Sequence, residues 1–315
     1  MADKKGEQMY TRPPKLSGWD SFKIFLWNSE TSQFLGRTGS SWGKILLFYL
    51  IFYAVLIGFF SAMLAVFYQT LDDREPKWKL EKSLIGSNPG LGFRPMPPDS
   101  NVESTLIWYK ASDKGNVQFW QKQLDEFLAT YEKENNPNYN NVEQCIPHQK
   151  PSKGKVCDVR LDADWQKCVK ENGYNYDSPE GGPCIFLKLN KIYGWNPEYY
   201  NSTTVPDNMP QYLKSEIIEA EARNDYKYVW VSCQGENPAD VENIGVIRYL
   251  PKWGFASQYF PFENVDGYLS PLVAIYFEKP KRGVLINIEC KAWARNIIHD
   301  RTDRRGSVHF ELMID

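Results

Sequence analysis

A continuous apolar run near the start of the chain restricts how it can fold. From Ile45 to Tyr68 the sequence has 24 residues without a charge, and the charged segment Asp72–Glu75 follows almost at once. A helix of this length extends about 36 Å, more than the roughly 30 Å thickness of a bilayer's hydrocarbon core. In lipid, a helix is the only single segment that satisfies its own backbone. The run therefore predicts a membrane-spanning helix, which we assign to residues 45–71.

The remaining sequence favours a single membrane crossing. A secretory signal peptide would begin near residue 1 with a short apolar core, whereas residues 1–44 are mostly polar. No other apolar run approaches 18 residues, and "LVAIYF" (Leu272–Phe277) has the length of a strand. We therefore predict a single-pass membrane protein.

Three features predict the orientation. Residues 1–44 contain seven Lys and Arg but four Asp and Glu, and a basic excess marks the cytoplasmic side. All six cysteines follow the apolar run, as expected of disulfides in an oxidising compartment. The glycosylation sequon at Asn201 lies on that side too. We predict a type II protein, with a cytoplasmic tail over residues 1–44 and residues 72–315 outside the cell.

Composition divides the extracellular part in two. Residues 72–110 carry five prolines with scattered glycine, which predicts an extended stalk before a folded domain over residues 111–315. The domain opens with one amphipathic helix, for which Asn116 is a plausible N-cap. Its apolar residues recur at helical spacing: Val117, Trp120, Leu124, Phe127, Leu128 and Tyr131.

Further along, the apolar period changes to two. "GVLINIEC" places Val284, Ile286, Ile288 and Cys290 on one face of a strand. Similar strand-like runs are "GSVHFELMI", "CIFLKL", "KYVWVSC", "IGVIRYL", "PLVAIYF" and "KVCDVRL". About seven such strands predict a mainly antiparallel β-sandwich of immunoglobulin-like type.

Signals for catalysis are weak. "DAD" (Asp162–Asp164) matches the metal-binding Asp-x-Asp of many Golgi glycosyltransferases, but the alternating strands and helices of a nucleotide-binding sheet are not apparent. His148, His299 and His309 have no metal-ligand spacing and no visible link to a nucleophile. We therefore expect no enzyme activity, no metal or other cofactor and no nucleic-acid partner, and favour a role in binding or assembly.

The apolar run also predicts binding faces within the bilayer. Tyr49 and Tyr53 are four residues apart, so they lie nearly one above the other on a helix. Gly58 and Ala62 lie on the opposite side, and small residues at this spacing allow a second helix to approach closely. Two alternatives remain open: the tyrosines belong to an interfacial aromatic belt, and the small pair is a chance occurrence.

Long motifs then resemble one family, the beta subunits of the Na⁺/K⁺-ATPase, especially its arthropod branch. The resemblance runs through nearly the whole chain in order. The motifs are "FLWNSETSQFLGRTGSSW" (Phe25–Trp42), "GGPCIFLKLNKIYGW" (Gly181–Trp195), "QYFPF" (Gln258–Phe262), "YLSPLVAIYF" (Tyr268–Phe277) and "IECKAWARNI" (Ile288–Ile297). "CIPHQKPSKGKVC" departs from the vertebrate pattern by its closer cysteines.

This resemblance implies a non-catalytic subunit in the plasma membrane. Its obligate partner is a P-type ATPase alpha subunit, which it helps to fold, assemble and reach the cell surface, and whose K⁺ occlusion it modulates. A small single-pass regulatory subunit is a further possible partner, besides the lipid bilayer. The alternatives are a beta subunit of an H⁺/K⁺-type pump and a cell-adhesion protein that acts without a pump.

The resemblance also implies roles for individual residues. Six cysteines allow fifteen pairings, and the family's connectivity selects Cys145–Cys157, Cys168–Cys184 and Cys233–Cys290. The helix tyrosines Tyr49 and Tyr53 are assigned to the alpha subunit, and Gly58 and Ala62 to a second neighbouring helix. In the extracellular domain, the residues implied to contact alpha are Tyr259, Phe260 and Tyr268, with a sandwich-core position as the alternative. Asn201 is expected to carry an N-glycan.

Overall fold

The computed structural model describes residues 17–98, 104–300, 302 and 305–315. The chain divides into two compact units, Met1–Leu71 and Asp72–Asp315. We describe each unit separately.

The first unit is dominated by the long helix α2 (Gly39–Tyr68). It has no proline, and an 18-residue window within it has a mean hydropathy of 2.5, which suits a membrane span. The helix starts six residues before the predicted position 45 and ends three residues before position 71. The two starts differ because the prediction placed the helix where charged residues stop. The helix itself already begins in the polar turn before Ile45.

A small assembly precedes α2. Helix α1 (Gly18–Leu26) leads into three two-residue strands in antiparallel order: β1 (Trp27–Asn28), β2 (Gln33–Phe34) and β3 (Arg37–Thr38). Gly36, in the β2–β3 turn, has a φ of +72°, which favours glycine.

Two larger sheets form the second unit. The four-stranded sheet has the order β10-β12-β8-β4 and is antiparallel throughout. Its strands are β4 (Leu91–Arg94), β8 (Cys184–Leu189), β10 (Val246–Leu250) and β12 (Leu272–Glu278).

The five-stranded sheet has the order β11-β9-β13-β14-β5, and only the β14–β5 pair is parallel. Its strands are β5 (Leu106–Tyr109), β9 (Tyr228–Gly235), β11 (Gly254–Ala256), β13 (Ile286–Trp293) and β14 (Ser307–Ile314). A separate parallel pair joins β6 (Val142–Glu143) to β7 (Val156–Cys157).

One hydrophobic core contains buried side chains from both larger sheets. Phe93 of β4 packs against Phe310 of β14, with their ring centroids 5.1 Å apart. In β13, Ile286, Ile288 and Cys290 are buried and alternate with partly exposed residues. This pattern matches the predicted period of two.

The described part of the second unit has three α-helices: α3 (Lys114–Leu128), α4 (Gln211–Ala222) and α5 (Pro238–Asn243). The prediction of a single amphipathic helix is therefore wrong. Within α3 the predicted apolar residues Val117, Trp120, Leu124 and Leu128 are buried and Phe127 is partly buried. The N-cap is Asp113 rather than Asn116, and the Asp113 side chain accepts hydrogen bonds from the backbone of Gly115 and Asn116. Helix α4 packs over a second, smaller core against Tyr228, Trp230 and Trp293.

Two other predictions need correction. Strands β4 and β5 lie within the predicted stalk of residues 72–110, and Ile107 and Tyr109 are fully buried. Pairing with β8 and β14 draws these segments into the sheets despite the flanking prolines. "KVCDVRL" forms only the short β7, because its pairing with β6 ends at Cys157.

Candidate partner-binding surfaces

The tyrosine stripe of α2 has the predicted geometry. The rings of Tyr49 and Tyr53 stack with centroids 6.0 Å apart, and Phe48 and Phe52 form a parallel pair at 6.1 Å. Tyr49 is 49 % exposed and Tyr53 is 52 % exposed. No residue of α2 is buried within its own unit, so both pairs are available to a partner or to lipid.

The two small residues, Gly58 and Ala62, leave open space beside α2. A Cβ placed on Gly58 would meet no other atom within 4 Å, and Ala62 is exposed one turn later. Gly58 is nine residues after Tyr49, which places it on the opposite side of the helix. The helix thus offers an aromatic face and a separate small-residue face.

In the second unit, Tyr259 and Tyr268 are both half-buried and hydrogen-bonded. The Tyr259 hydroxyl donates to the backbone oxygen of Asp158 at 2.9 Å, and the Tyr268 hydroxyl donates to the backbone oxygen of Tyr259 at 3.1 Å. Burial, followed by the negative charge of Asp158, raises the pKa of Tyr259 to about 12. Burial and then Tyr259 raise the pKa of Tyr268. Both phenols therefore stay neutral and act as donors.

Phe260 differs from these two tyrosines. It is only 9 % exposed, and its ring meets Trp195 edge to face at 5.6 Å. This side chain belongs to the hydrophobic core, the alternative that the sequence left open for these three residues. Its neighbours in sequence, Tyr259 and Pro261, stay partly exposed.

A group of cations and aromatic rings extends the surface around Tyr268. The Lys191 ammonium lies 5.1 Å from the ring centroid of Phe262 and 5.0 Å from that of Tyr268. Burial, and then the positive charge of Lys188, lower the pKa of Lys191. The Lys79 ammonium lies 4.8 Å from the ring of Tyr193. Sequence reasoning missed these lysines, because their ring partners lie up to 114 residues away along the chain.

An ion pair and a hydrogen bond hold the segment after Leu71 against the loop that precedes Tyr268. The Arg74 guanidinium pairs with the Asp266 carboxylate at 3.1 Å, and the Asn264 amide donates to the backbone oxygen of Arg74 at 3.1 Å. Both charged side chains are largely exposed, so the ion pair contributes little stability in water. It does place residues 72–79 beside the loop that carries Tyr268.

Three disulfides are present, with the pairing that the family resemblance implies: Cys145–Cys157, Cys168–Cys184 and Cys233–Cys290. Cys233 and Cys290 face each other on the neighbouring strands β9 and β13, so this bridge lies within one sheet. The Cys168–Cys184 bridge ties the segment before β8 to that strand.

The sequon lies in a turn with a defined hydrogen-bond pattern. The side-chain oxygen of Asn201 accepts from the hydroxyls of Thr203 at 2.9 Å and Thr204 at 2.7 Å. Asn201 is partly exposed, and Ser202 and Thr203 are exposed. A glycosyltransferase can therefore approach this turn from the solvent side.

The fragments considered for catalysis have structural partners instead. Asp162 is in a turn rather than a strand, and its carboxylate accepts from the backbone N–H of Asp164 at 3.2 Å. His309 is half-buried, and its Nδ1 lies 2.6 Å from a Glu236 carboxylate oxygen. Within residues 17–98, 104–300, 302 and 305–315, no three His, Cys, Asp or Glu residues form a group that could hold a metal ion.

His148 contacts polar side chains through both ring nitrogens. Its Nε2 lies 2.6 Å from the Asp225 carboxylate and its Nδ1 lies 3.0 Å from the Ser257 hydroxyl. Tyr228 and Lys252 also donate to Asp225. This network ties the loop between Cys145 and Cys157 to β9 and the segment after β11.

Comparison with known sequences identifies the family of this chain. A sequence model of the sodium/potassium ATPase beta chain family matches residues 12–310. The chain is 53 % identical over 314 residues to sodium/potassium-transporting ATPase subunit beta-2 of Drosophila melanogaster, covering 98 % of this chain and 96 % of the relative. Subunit beta-1 of the same species is 41 % identical, covering 99 % and 97 %.

A more distant relative shows the same extent of similarity. Subunit beta-2 of Homo sapiens is 29 % identical over 311 residues, covering 94 % of each chain. The described residues contain one apolar helix long enough to cross a membrane and a sheet-rich domain with three disulfides. Together with a match over nearly the full length, these features lead to one conclusion. The chain belongs to the sodium/potassium ATPase beta chain family.

Proposed function

We propose that this chain is the non-catalytic beta subunit of a plasma-membrane Na⁺/K⁺ pump. The observation that carries the proposal is the family match over residues 12–310, which includes the membrane helix, all six cysteines and the aromatic loop around Tyr268. The relatives named above are sodium/potassium-transporting ATPase beta subunits. ATP hydrolysis and ion binding are then properties of the alpha partner.

The proposed topology is type II and single-pass. Residues 1–44 are cytoplasmic, residues 45–71 cross the membrane and residues 72–315 are extracellular. The basic excess before α2 supports this orientation. The three disulfides after α2 support it as well, because disulfides persist in oxidising compartments. Any stalk is confined to residues 72–90, before β4.

We infer that the two larger sheets form an immunoglobulin-like sandwich. The common core between four and five strands supports this inference. Such a domain would present its loops as a stiff surface to the extracellular loops of alpha. Tyr259 and Tyr268 are the candidate contacts there, and Lys191 extends the same surface.

Within the bilayer, the Tyr49–Tyr53 face is proposed to bind a helix of alpha. A tyrosine hydroxyl in lipid needs a polar partner, and a neighbouring helix provides one. The Gly58–Ala62 face is assigned to a second helix, such as that of a small single-pass regulatory subunit. The beta subunit would modulate K⁺ occlusion if it bound one conformation of alpha more tightly than another.

The test is co-expression with a Na⁺/K⁺-ATPase alpha subunit in cells that lack their own beta subunit. We expect alpha to reach the cell surface, and to co-purify with this chain in mild detergent, only when the two are expressed together. Surface biotinylation measures delivery of each chain. Equal surface amounts of alpha with and without this chain would contradict the proposal.

A further inference from the structure

Helix α1 has an apolar stripe that its own unit does not cover. Trp19, Phe22 and Leu26 recur at spacings of three and four, which places them on one face. Trp19 is 70 % exposed and Phe22 is 48 % exposed, and their rings touch at a centroid distance of 5.8 Å. No residue of α1 is buried. Three large exposed apolar side chains on one face indicate a binding surface.

The other side of α1 is different. At about 100° per residue, Asp20 and Ser21 point away from the stripe, and Lys23 lies at its border. Phe25 faces the β2–β3 turn, where its ring comes within 3.7 Å of the Cβ position of Gly36. Opposite the stripe, Asp20 and Ser21 flank Ile24, which is 43 % exposed, so this side is only partly polar. The helix therefore has a partly polar side, a side that packs on its own turn and a free apolar stripe.

Contacts within the unit hold α1 beside the start of α2. The backbone N–H of Leu35 donates to the Leu26 oxygen at 3.2 Å, at the last residue of α1. The Trp42 indole in the first turns of α2 donates to the Phe34 oxygen at 2.8 Å, and the two rings pack at 6.3 Å. Trp42 precedes the uncharged run at Ile45 by three residues, about 4.5 Å along the axis.

These contacts select the bilayer as the occupant of the stripe. The lipid-spanning segment of α2 belongs to the same unit, so a lipid surface is next to α1 without any further partner. Tryptophan is enriched where a membrane meets water, and an amphipathic helix with aromatic residues on its apolar face binds in the plane of that interface. A lysine at the border of the stripe can extend its ammonium to the headgroups.

We propose that α1 lies in the headgroup region of the leaflet from which α2 begins, with Trp19, Phe22 and Leu26 facing the acyl chains. The proposal rests on the membrane topology of the proposed function. It assigns α1 and the three short strands the role of a membrane-surface foot that fixes the depth and tilt of α2. Through α2, the foot would set the height at which Tyr49 and Tyr53 meet a partner.

The test places a nitroxide label on single added cysteines of the full chain in nanodiscs of phosphatidylcholine and phosphatidylserine. The six native cysteines are bridged and do not react. Phe22→Cys and Trp19→Cys report the stripe, Ser21→Cys reports the polar side, and Ile57→Cys reports the bilayer core. Power-saturation electron paramagnetic resonance compares collisions with oxygen, which concentrates in lipid, and with a water-soluble nickel chelate.

We expect the oxygen-to-nickel accessibility ratio to be several-fold higher at positions 19 and 22 than at position 21. If the ratios at positions 19, 21 and 22 are equal while position 57 is in lipid, the proposal that α1 lies on the membrane surface is wrong, but the topology stands. An aqueous label at position 57 would overturn the topology itself. The label at position 22 is also compared in this chain by itself and in its complex with unlabelled alpha. If the label is exposed to water in the first sample and shielded from both reagents in the second, a protein partner covers the stripe and the bilayer proposal is wrong.

Discussion

Phe260 and Tyr268 are eight residues apart, yet their side chains have different environments. Phe260 packs inward on Trp195, whereas Tyr268 is half-buried beneath Lys191 and donates a hydrogen bond to a backbone oxygen. Phe260 therefore stabilises the fold, whereas Tyr268 forms part of the candidate partner-binding surface. Substitutions at the two positions should separate these roles.

We expect Phe260→Ala to destabilise the chain by about 3–5 kcal/mol, the usual cost of removing a buried phenylalanine ring. Tyr268→Phe keeps the ring and loses one hydrogen bond, at a cost of about 1 kcal/mol. Tyr268→Ala should in addition weaken co-purification with alpha. Thermal unfolding followed by tryptophan fluorescence measures stability. Normal alpha binding by a folded Tyr268→Ala chain would remove Tyr268 from the interface.

Asp225 predicts a response to acid. Burial alone would raise its pKa, but hydrogen bonds from Tyr228 and His148 and the Lys252 ammonium lower the pKa below the ordinary 3.8. A carboxyl group whose pKa falls on folding stabilises the fold above its unfolded pKa, and this contribution is lost as the pH drops through the lower folded pKa.

Asp225→Asn should therefore lower the unfolding temperature near neutral pH and flatten its decline below about pH 4. The difference between variant and parent should shrink as the pH falls. Asp207→Asn, at an exposed aspartate, is the matched control. Parallel curves for the parent and Asp225→Asn down to about pH 2 would show that Asp225 does not contribute.

The sequon gives a prediction that depends on topology. If residues 72–315 pass through the endoplasmic reticulum lumen, Asn201 carries an N-glycan, because its turn is accessible. Asn201→Gln should then migrate faster on a gel and lose its shift on glycosidase treatment. Asn208→Gln, an exposed asparagine outside any sequon, should migrate like the parent. Identical migration of all three chains would refute the assignment.

At the scale of elements, the disulfides constrain different lengths of chain. The bridges span 12, 16 and 57 residues. In the chain-entropy model, a bridge stabilises the fold by restricting the unfolded chain, by about 3 kcal/mol for the shorter two and roughly 4 for the longest. The longest joins β9 and β13, which backbone hydrogen bonds already pair.

We therefore expect Cys233→Ser/Cys290→Ser to be more destabilising than Cys145→Ser/Cys157→Ser. Removing both partners avoids leaving an unpaired thiol. Thermal unfolding of the two double variants gives the order, and peptide mapping without reductant gives the pairing. Cys157 joined to Cys168 would contradict the connectivity.

The membrane helix allows a face-by-face test. Tyr49→Leu/Tyr53→Leu should weaken the complex with alpha about fivefold for each tyrosine, taking roughly 1 kcal/mol for an interhelical hydrogen bond. Gly58→Leu should disturb only a second helix, such as a small regulatory subunit. Phe59→Leu removes a ring outside the tyrosine stripe and serves as control. Complex yield in detergent and K⁺ activation are the measurements. A helix in which none of these changes has an effect is a simple anchor.

Elements with regular alternation were predictable. Buried and partly exposed side chains alternate over residues 286–292 of β13 and 310–314 of β14, so the period of two identifies most of the buried face, although Val308 is only partly buried. Helix α4 was missed, although Leu213, Ile217 and Ala220 recur at spacings of four and three and are buried. Strands β4 and β5 were missed because proline-rich neighbours dominated the local composition, while their pairing partners lie far away in sequence.

At the scale of the whole molecule, the sequence carries the family and the position of the membrane helix because both depend on long continuous patterns. The surfaces depend on contacts between distant segments. Lys191 meets Phe262, Phe260 meets Trp195, and Arg74 pairs with Asp266. No local period encodes such pairs, so exposure in the "QYFPF" loop could not be assigned residue by residue.

The central claim is that this chain makes an alpha subunit into a working pump. The most direct measurement is K⁺-stimulated, Na⁺-dependent ATP hydrolysis in membranes from cells without their own beta subunit, with alpha expressed alone or together with this chain. We predict that the activity appears only in the co-expressing membranes. The same activity from alpha alone would contradict the account.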